Sequence, residues 1–181
     1  MALAEEYDTG LHTHSSESIW EVQQSLSRFG RRPIEEFFNR GILSERTVVA
    51  HCVWLDDREI ELMAQTGTSA VHCPCSNMKL ASGPARVRDM RAAGIAFGLG
   101  SDGEKENNNL DLFEEMKFAS LLQKVSTLDP TIGDPWEVLT MATIELLEQS
   151  LVRNAAEVGA YLMDRLRELQ QKHAIIGDVR G

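Results

Sequence analysis

The chain has 181 residues, 43% of them hydrophobic and 25% charged, and a formal net charge of -10. It is long enough to bury a core without staples, and its negative charge argues against nucleic-acid backbones and anionic membranes as partners. No apolar run approaches the roughly 20 residues of a membrane span, the acidic start lacks a signal-peptide core, and three cysteines, Cys52, Cys73 and Cys75, make no disulfide framework, so a reduced, cytoplasmic protein is expected.

Residues 1–9 read as the end of a helix and residues 10–14, Gly10-Leu11-His12-Thr13-His14, as a short strand. Residues 18–29 carry Ile19, Val22, Leu26 and Phe29 at spacings of 3, 4 and 3, the period of an amphipathic helix stopped by Gly30. Pro33 suits the first turn of a second helix that runs to about Arg40, with Gly41 as its cap. Residues 47–51 form a strand ending in His51. Residues 56–65 form a helix whose Asp56 and Glu59 have capping-box spacing. A strand over 68–72 ends in His72, a helix covers 86–93, and a strand over 95–100 leads to Asp102. The polar loop 102–109 contains Asn107-Asn108-Asn109. Residues 110–125 are a helix striped by Phe113, Met116 and Leu121, and Asp134-Pro135-Trp136-Glu137 starts another.

Strands alternating with helices predict an α/β fold with a parallel sheet. Four such units are half of a (β/α)8 barrel. The last segment differs. Leu147, Leu151, Ala155, Val158, Leu162, Leu166 and Leu169 are spaced 4, 4, 3, 4, 4 and 3, which predicts one long amphipathic helix, followed by a short strand over 174–179. That stripe suits a core or an oligomer interface better than a cofactor site.

His14, His51, His72 and Asp102 each stand at or just past a predicted strand end, where a β/α protein exposes side chains on a rigid base. Imidazole is a good zinc ligand, and Glu17, three residues after His14, can carry a proton to a leaving group. Asp102 can ligate the same ion and accept a proton from water, and His51 can polarise that water. A single such residue reads more readily as a core or surface one, by roughly two to one; four coincident strand ends reverse those odds. Cys73-Pro74-Cys75 has a spacing that suits zinc poorly, so buried thiols are expected. Asn107 to Asn109 are a candidate binding loop or a solvated tip. Gly-rich phosphate loops and G-x-S-x-G are absent from the sequence.

Residues 1 to about 143 resemble the C-terminal half of a metal-dependent amidohydrolase-superfamily enzyme, of the S-adenosylhomocysteine/methylthioadenosine deaminase and triazine chlorohydrolase branch. The resemblance is carried by Leu11-His12-Thr13-His14-Ser15-Ser16-Glu17, Arg32-Pro33-Ile34-Glu35, Thr47-Val48-Val49-Ala50-His51, His72-Cys73-Pro74 with Ser76-Asn77-Met78-Lys79-Leu80-Ala81-Ser82-Gly83, Leu99-Gly100-Ser101-Asp102-Gly103, and Asn107 to Met116. It implies strands 5 to 8 of the barrel. His14 would be the strand-5 metal ligand, Glu17 the general acid, and His51 the histidine beside the hydrolytic water. Asp102 would be metal ligand and general base, and His72 and Asn107 would contact substrate. The implied cofactor is a divalent metal, zinc first, with iron or manganese as alternatives. The implied partner is a small molecule: deamination or dechlorination of an N-heterocycle, or hydrolysis of an amide or ester.

The family's His-x-His pair of a first strand has no counterpart here, because strands 1 to 4 have none. His12-Thr13-His14 has the same spelling in the strand-5 context. Residues i and i+2 share a face, so His12 can join His14 as a ligand.

Residues 144–181 resemble the C-terminal part of a class III pyridoxal-phosphate aminotransferase, through Leu151 to Leu162 and Ile175-Ile176-Gly177-Asp178-Val179-Arg180-Gly181. The lysine and phosphate site of that family lie upstream of this piece, so no pyridoxal phosphate is expected. The chain thus reads as a chimera of a truncated TIM barrel, 1–143, and an aminotransferase-like helical tail, 144–181. Raw sheet edges predict a homo-oligomer, a homodimer first. The alternative to an enzyme is an inactive chimera that self-associates or binds metal.

Overall fold

The computed structural model describes residue 4, residues 6–146, 167–168 and 171–172. The chain divides into two compact units, Met1–Ala142 and Thr143–Gly181. In the first, four strands, β1 (Leu11–Ser15), β2 (Thr47–His51), β3 (Ser69–His72) and β4 (Phe97–Leu99), pair in the order β1-β2-β3-β4. All three pairings are parallel, as expected of strands separated by helices. This is the α/β half-barrel architecture that the β/α alternation predicts. Of the second unit, residues 167–168 and 171–172 are helical. The rest of the helix expected over 147–169 and the strand expected over 174–179 lie outside the described residues.

The connecting helices are α1 (Ile19–Phe29), α2 (Pro33–Asn39), α3 (Asp57–Thr66), α4 (Pro74–Lys79), α5 (Val87–Ala92), α6 (Glu104–Asn107), α7 (Leu112–Thr127) and α8 (Pro135–Leu146). Two fall where sequence reasoning finds loops. α4 has six residues and α6 four, too short for an apolar period to show. α7 begins after Asp111, whose side chain accepts from Phe113 N at 2.9 Å. That cap places the start two residues beyond the expected one at Leu110.

The sheet's two faces differ. On one, Val49, Ala70, Phe97 and Leu99 pack with Ile34, Ile60, Met63 and Met90 into the buried core. On the other, register places His12 beside Val48, and His14 beside Ala50, Val71 and Gly98 in turn. His12 and His14 are exposed there, and Val48, Val71 and Gly98 half-buried. At the end of β4 the chain approaches β3 closely. A Cβ on Gly100 would lie 2.8 Å from Val71 Cγ1 and 3.2 Å from Cys73 Sγ.

One buried carboxylate ties the helices that follow β1 and β2. Glu59, 0% exposed, accepts from Ile34 N at 3.1 Å through Oε1. Its Oε2 accepts from Arg32 Nε at 2.7 Å and Asp56 N at 3.1 Å. It therefore caps α2 and α3 together. Burial pushes its pKa up, and the Arg32 guanidinium opposes the push.

Candidate metal centre

Each wall of the site is built by a strand end and a turn that the local sequence holds in place. After β1 the chain turns at Ser16, at φ 52°. The backbone N–H groups of Ser16 and Glu17 both donate to the Glu21 carboxylate, at 3.0 and 2.9 Å. Ser18 caps α1 by accepting from Glu21 N at 3.2 Å. This fixes Glu17 above the end of β1. Cys52 N donates to Ser15 O at 3.2 Å and Trp54 N to Ser16 O at 2.9 Å, which stitches the turn after β2 to the turn after β1.

Strand parity alone would send the His51 side chain to the helix-covered face with Val49. Instead His51 and Cys52 have φ of 71° and 50°, and this left-handed kink aims the imidazole back over the strand ends. The His51 and His14 rings lie 5.4 Å apart, centroid to centroid. His51 is 2% exposed, and its Nδ1 is 3.0 Å from Asn77 Oδ1. Asp102 is also left-handed, at φ 60°. Its Oδ2 accepts from Ser76 Oγ at 2.6 Å and its Oδ1 from Gly103 N at 2.7 Å. Burial pulls the Asp102 pKa up, but these hydrogen bonds and the His51 and His14 imidazoles outweigh it and hold the carboxyl below its usual range.

His14, His51 and Asp102 each offer one ligand atom, and these atoms all lie within 4.8 Å of one another. His51 Nε2 is 3.9 Å from Glu17 Oε2 and 3.9 Å from Asp102 Oδ2. The four side chains line an open cleft of about 490 Å³, together with Glu21, Leu80, Lys105 and Glu106. Two imidazoles and a carboxylate are a donor set that zinc and its neighbours accept, so the residues present fit a divalent cation.

The other expected site residues are placed elsewhere. His12 shares the His14 face but is two residues further back along β1, outside the converging trio. His72 obeys parity and faces the core. It is 0% exposed, beside the Phe97 ring at 6.1 Å, and lines a cavity of about 10 Å³ with Ala119, Gln123, Val138 and Met141. Neither ring nitrogen has a partner among the described residues. Burial lowers its pKa to about 3, with His51 adding to the effect. A substrate contact for His72 does not follow from this position. Asn107 is 3% exposed and structural. Its amide donates to Glu115 Oε1, and its Oδ1 accepts from Asn109 N at 3.2 Å and from Leu110 N. The cysteines are unpaired; Cys52 and Cys73 are buried, and burial pushes the Cys73 thiol up to about 12, with Asp102 and Glu115 adding to it. Spacing does not single out Ser76 and Asn77. Their signal is membership of the 76–83 motif that carries the resemblance, just after the Pro74 that opens α4.

A parallel β/α sheet thus gathers a His/His/Asp cluster and a glutamate at its strand ends, a donor set that fits a divalent cation. The comparisons agree on the family: residues 1–145 match the Amidohydrolase family model, and the chain belongs to that family. It is 47% identical over 143 residues to a 5'-deoxyadenosine deaminase of Methanobrevibacter smithii, covering 79% of this chain and 33% of that one. It is 39% identical over 184 residues to 5-methylthioadenosine/S-adenosylhomocysteine deaminase 1 of Archaeoglobus fulgidus, covering 98% of this chain and 44% of that one. Among solved structures, an adenosine deaminase from Xanthomonas campestris with bound zinc superposes with a TM-score of 0.75 at 37% identity, over 78% of this chain and 32% of that one. The chain spans 33% and 44% of the lengths of these two curated relatives.

Proposed function

We propose that residues 1–143 carry part of a divalent-metal site for hydrolytic deamination of a purine nucleoside. The observation that supports this reading is the convergence of His14, His51 and Asp102 beside Glu17. His14, Asp102 and His51 would hold the cation, with His12 as a further donor on the same face. When bound, a divalent cation supplies positive charge that acidifies water and polarises the substrate. The remaining chemistry belongs to the side chains. Asp102, held ionised by Ser76 and Gly103, accepts a proton from water at Oδ2. Glu17, whose Oε2 faces His51 Nε2, delivers a proton to the departing amine. His51 Nε2, 3.9 Å from both carboxylates, would hold the cation between them, a role in place of orienting the water. The substrate class rests on the deaminase relatives.

The test is elemental analysis of chelator-free protein, followed by incubation with 5'-deoxyadenosine and 5'-methylthioadenosine and assay of released ammonia. Near-stoichiometric zinc, iron or manganese with ammonia release is expected. Protein without metal overturns the reading. Metal without ammonia favours the second reading, a metal-binding module.

Two further parts of the reading concern assembly and the tail. Among the described residues β1 pairs only with β2 and β4 only with β3, so each keeps an open edge that a second copy can cover. Light scattering at micromolar concentration is expected to give twice the 20.2 kDa chain mass; a monomer alone refutes it. The aminotransferase-like reading of 144–181 rests on its two motifs. The Archaeoglobus alignment, which runs through 98% of the chain, supports the competing view that the deaminase likeness continues into the tail. A cytoplasmic setting is supported by the unpaired cysteines, and no helix among the described residues is long and apolar enough to cross a membrane.

A further inference from the structure

We propose that Asn77 and Ser76, adjacent on α4, are positioning residues: Asn77 holds the proton of His51 on Nδ1 so that Nε2 presents a lone pair to the cluster, and Ser76 fixes the rotation of the Asp102 carboxylate. The proposal rests on the reading of His14, His51 and Asp102 as cation ligands.

The tautomer follows from donor and acceptor chemistry. Asn77 Oδ1 is a carbonyl oxygen and only accepts, so the nitrogen 3.0 Å from it must carry the hydrogen. With Nδ1 protonated, the neutral ring has its lone pair on Nε2. That is the atom 3.9 Å from Glu17 Oε2 and from Asp102 Oδ2. Both partners are shielded: His51 is 2% exposed and Asn77 0%. Water therefore offers little competition for Nδ1, and the amide decides. A free imidazole prefers its proton on Nε2, the form in which that nitrogen can donate but not ligate, so the bond works against the default. Asn77 Nδ2 is buried without a partner among the described residues. Packing alone would be served better by an apolar side chain, and the amide's oxygen is the part in use.

Ser76 acts on the second ligand. It is 0% exposed and donates to Asp102 Oδ2 at 2.6 Å while Gly103 N holds Oδ1 at 2.7 Å. One donor on each oxygen blocks rotation about the Cβ–Cγ bond. α4 is itself anchored: Asn77 N bonds Cys73 O at 2.9 Å, and Cys75 N donates to the buried Glu115 Oε2 at 3.0 Å from α7. A single short helix thus sets two of the three ligand orientations, as outer-shell partners of metal ligands generally do.

The experiment is a long-range proton–nitrogen correlation spectrum of the imidazoles in metal-free protein near pH 9, well above the ordinary histidine range, with the His51 signal assigned by His51→Gln. Wild-type His51 is expected as the Nδ1–H tautomer. Asn77→Ala is expected to shift it to Nε2–H, and Asn77→Asp, which keeps an oxygen in place, to retain Nδ1–H. Zinc titration is expected to show affinity about 10- to 100-fold weaker in Asn77→Ala and in Ser76→Ala. An Nε2–H wild type, or an unchanged tautomer in Asn77→Ala, overturns the role of Asn77; zinc affinity unchanged in Ser76→Ala overturns that of Ser76. If Asn77→Ala does not fold, the wild-type and Asn77→Asp spectra decide. A wild type with Nδ1–H that takes up no zinc sinks the metal-site reading and leaves the tautomer assignment standing.

Discussion

Asp102→Ala protein is expected to emerge from chelator-free purification with about a tenth or less of the wild-type metal, and to lose deaminase turnover by on the order of 10³-fold or more. Asp102 is the one carboxylate in the converging trio, so its loss leaves two imidazoles and removes the negative charge that best opposes a dication. It also removes the proton acceptor. Glu17→Gln separates these effects. Glu17 lies outside the trio, 3.9 Å from His51 Nε2, so metal content is expected to hold while turnover falls by about 10²- to 10⁴-fold. Paired measurement of bound metal and ammonia release in both variants checks this. Undiminished turnover in Asp102→Ala removes the mechanism, and metal loss in Glu17→Gln would make Glu17 a ligand.

His72→Leu is expected to flatten the acid limb of the stability curve. In the folded chain burial lowers the His72 pKa to about 3, against an ordinary value of 6.5. As pH falls below the ordinary value, the unfolded chain takes up a proton there and the native chain does not. Stability is therefore complete above about pH 6.5 and drains away down to about pH 3, by on the order of 5 kcal/mol in all. Between pH 7 and about pH 4.5 the loss from this group is on the order of 2–3 kcal/mol. Urea unfolding at those two pH values should show the wild type losing that much more stability than His72→Leu. Leucine also removes two buried ring nitrogens that have no described partner. Equal losses in the two proteins would mean that His72 is not buried neutral.

The fold was legible because its strands and helices alternate with clear caps. Asp56 with Glu59, and Gly30 and Gly67, mark helix ends by chemistry that acts within a few residues. The site was legible in residue type and order but not in direction. His72 and His51 both end strands, and spacing treats them alike. Parity carries His72 into the core, while a positive φ swings His51 out of parity and into the site. Backbone sign is a local choice that composition and spacing do not display. Asn77 was hidden for a different reason. Its partner is 26 residues away, and only the parallel register that sets β2 beside β3 brings them together.

Ser16, His51, Cys52 and Asp102 all hold left-handed backbones without being glycine, and such positions each cost on the order of 1–3 kcal/mol. These four stand at the strand ends beside the proposed chemistry; Asp8, Ala81, Asn108, Leu110 and Leu128 share the conformation elsewhere. Stability and usefulness therefore pull in opposite directions at the same four codons. Selection for a sturdier fold alone would relax these kinks first, glycine being the easiest replacement, and would strip the cleft of its imidazole and carboxylate while leaving the sheet sound.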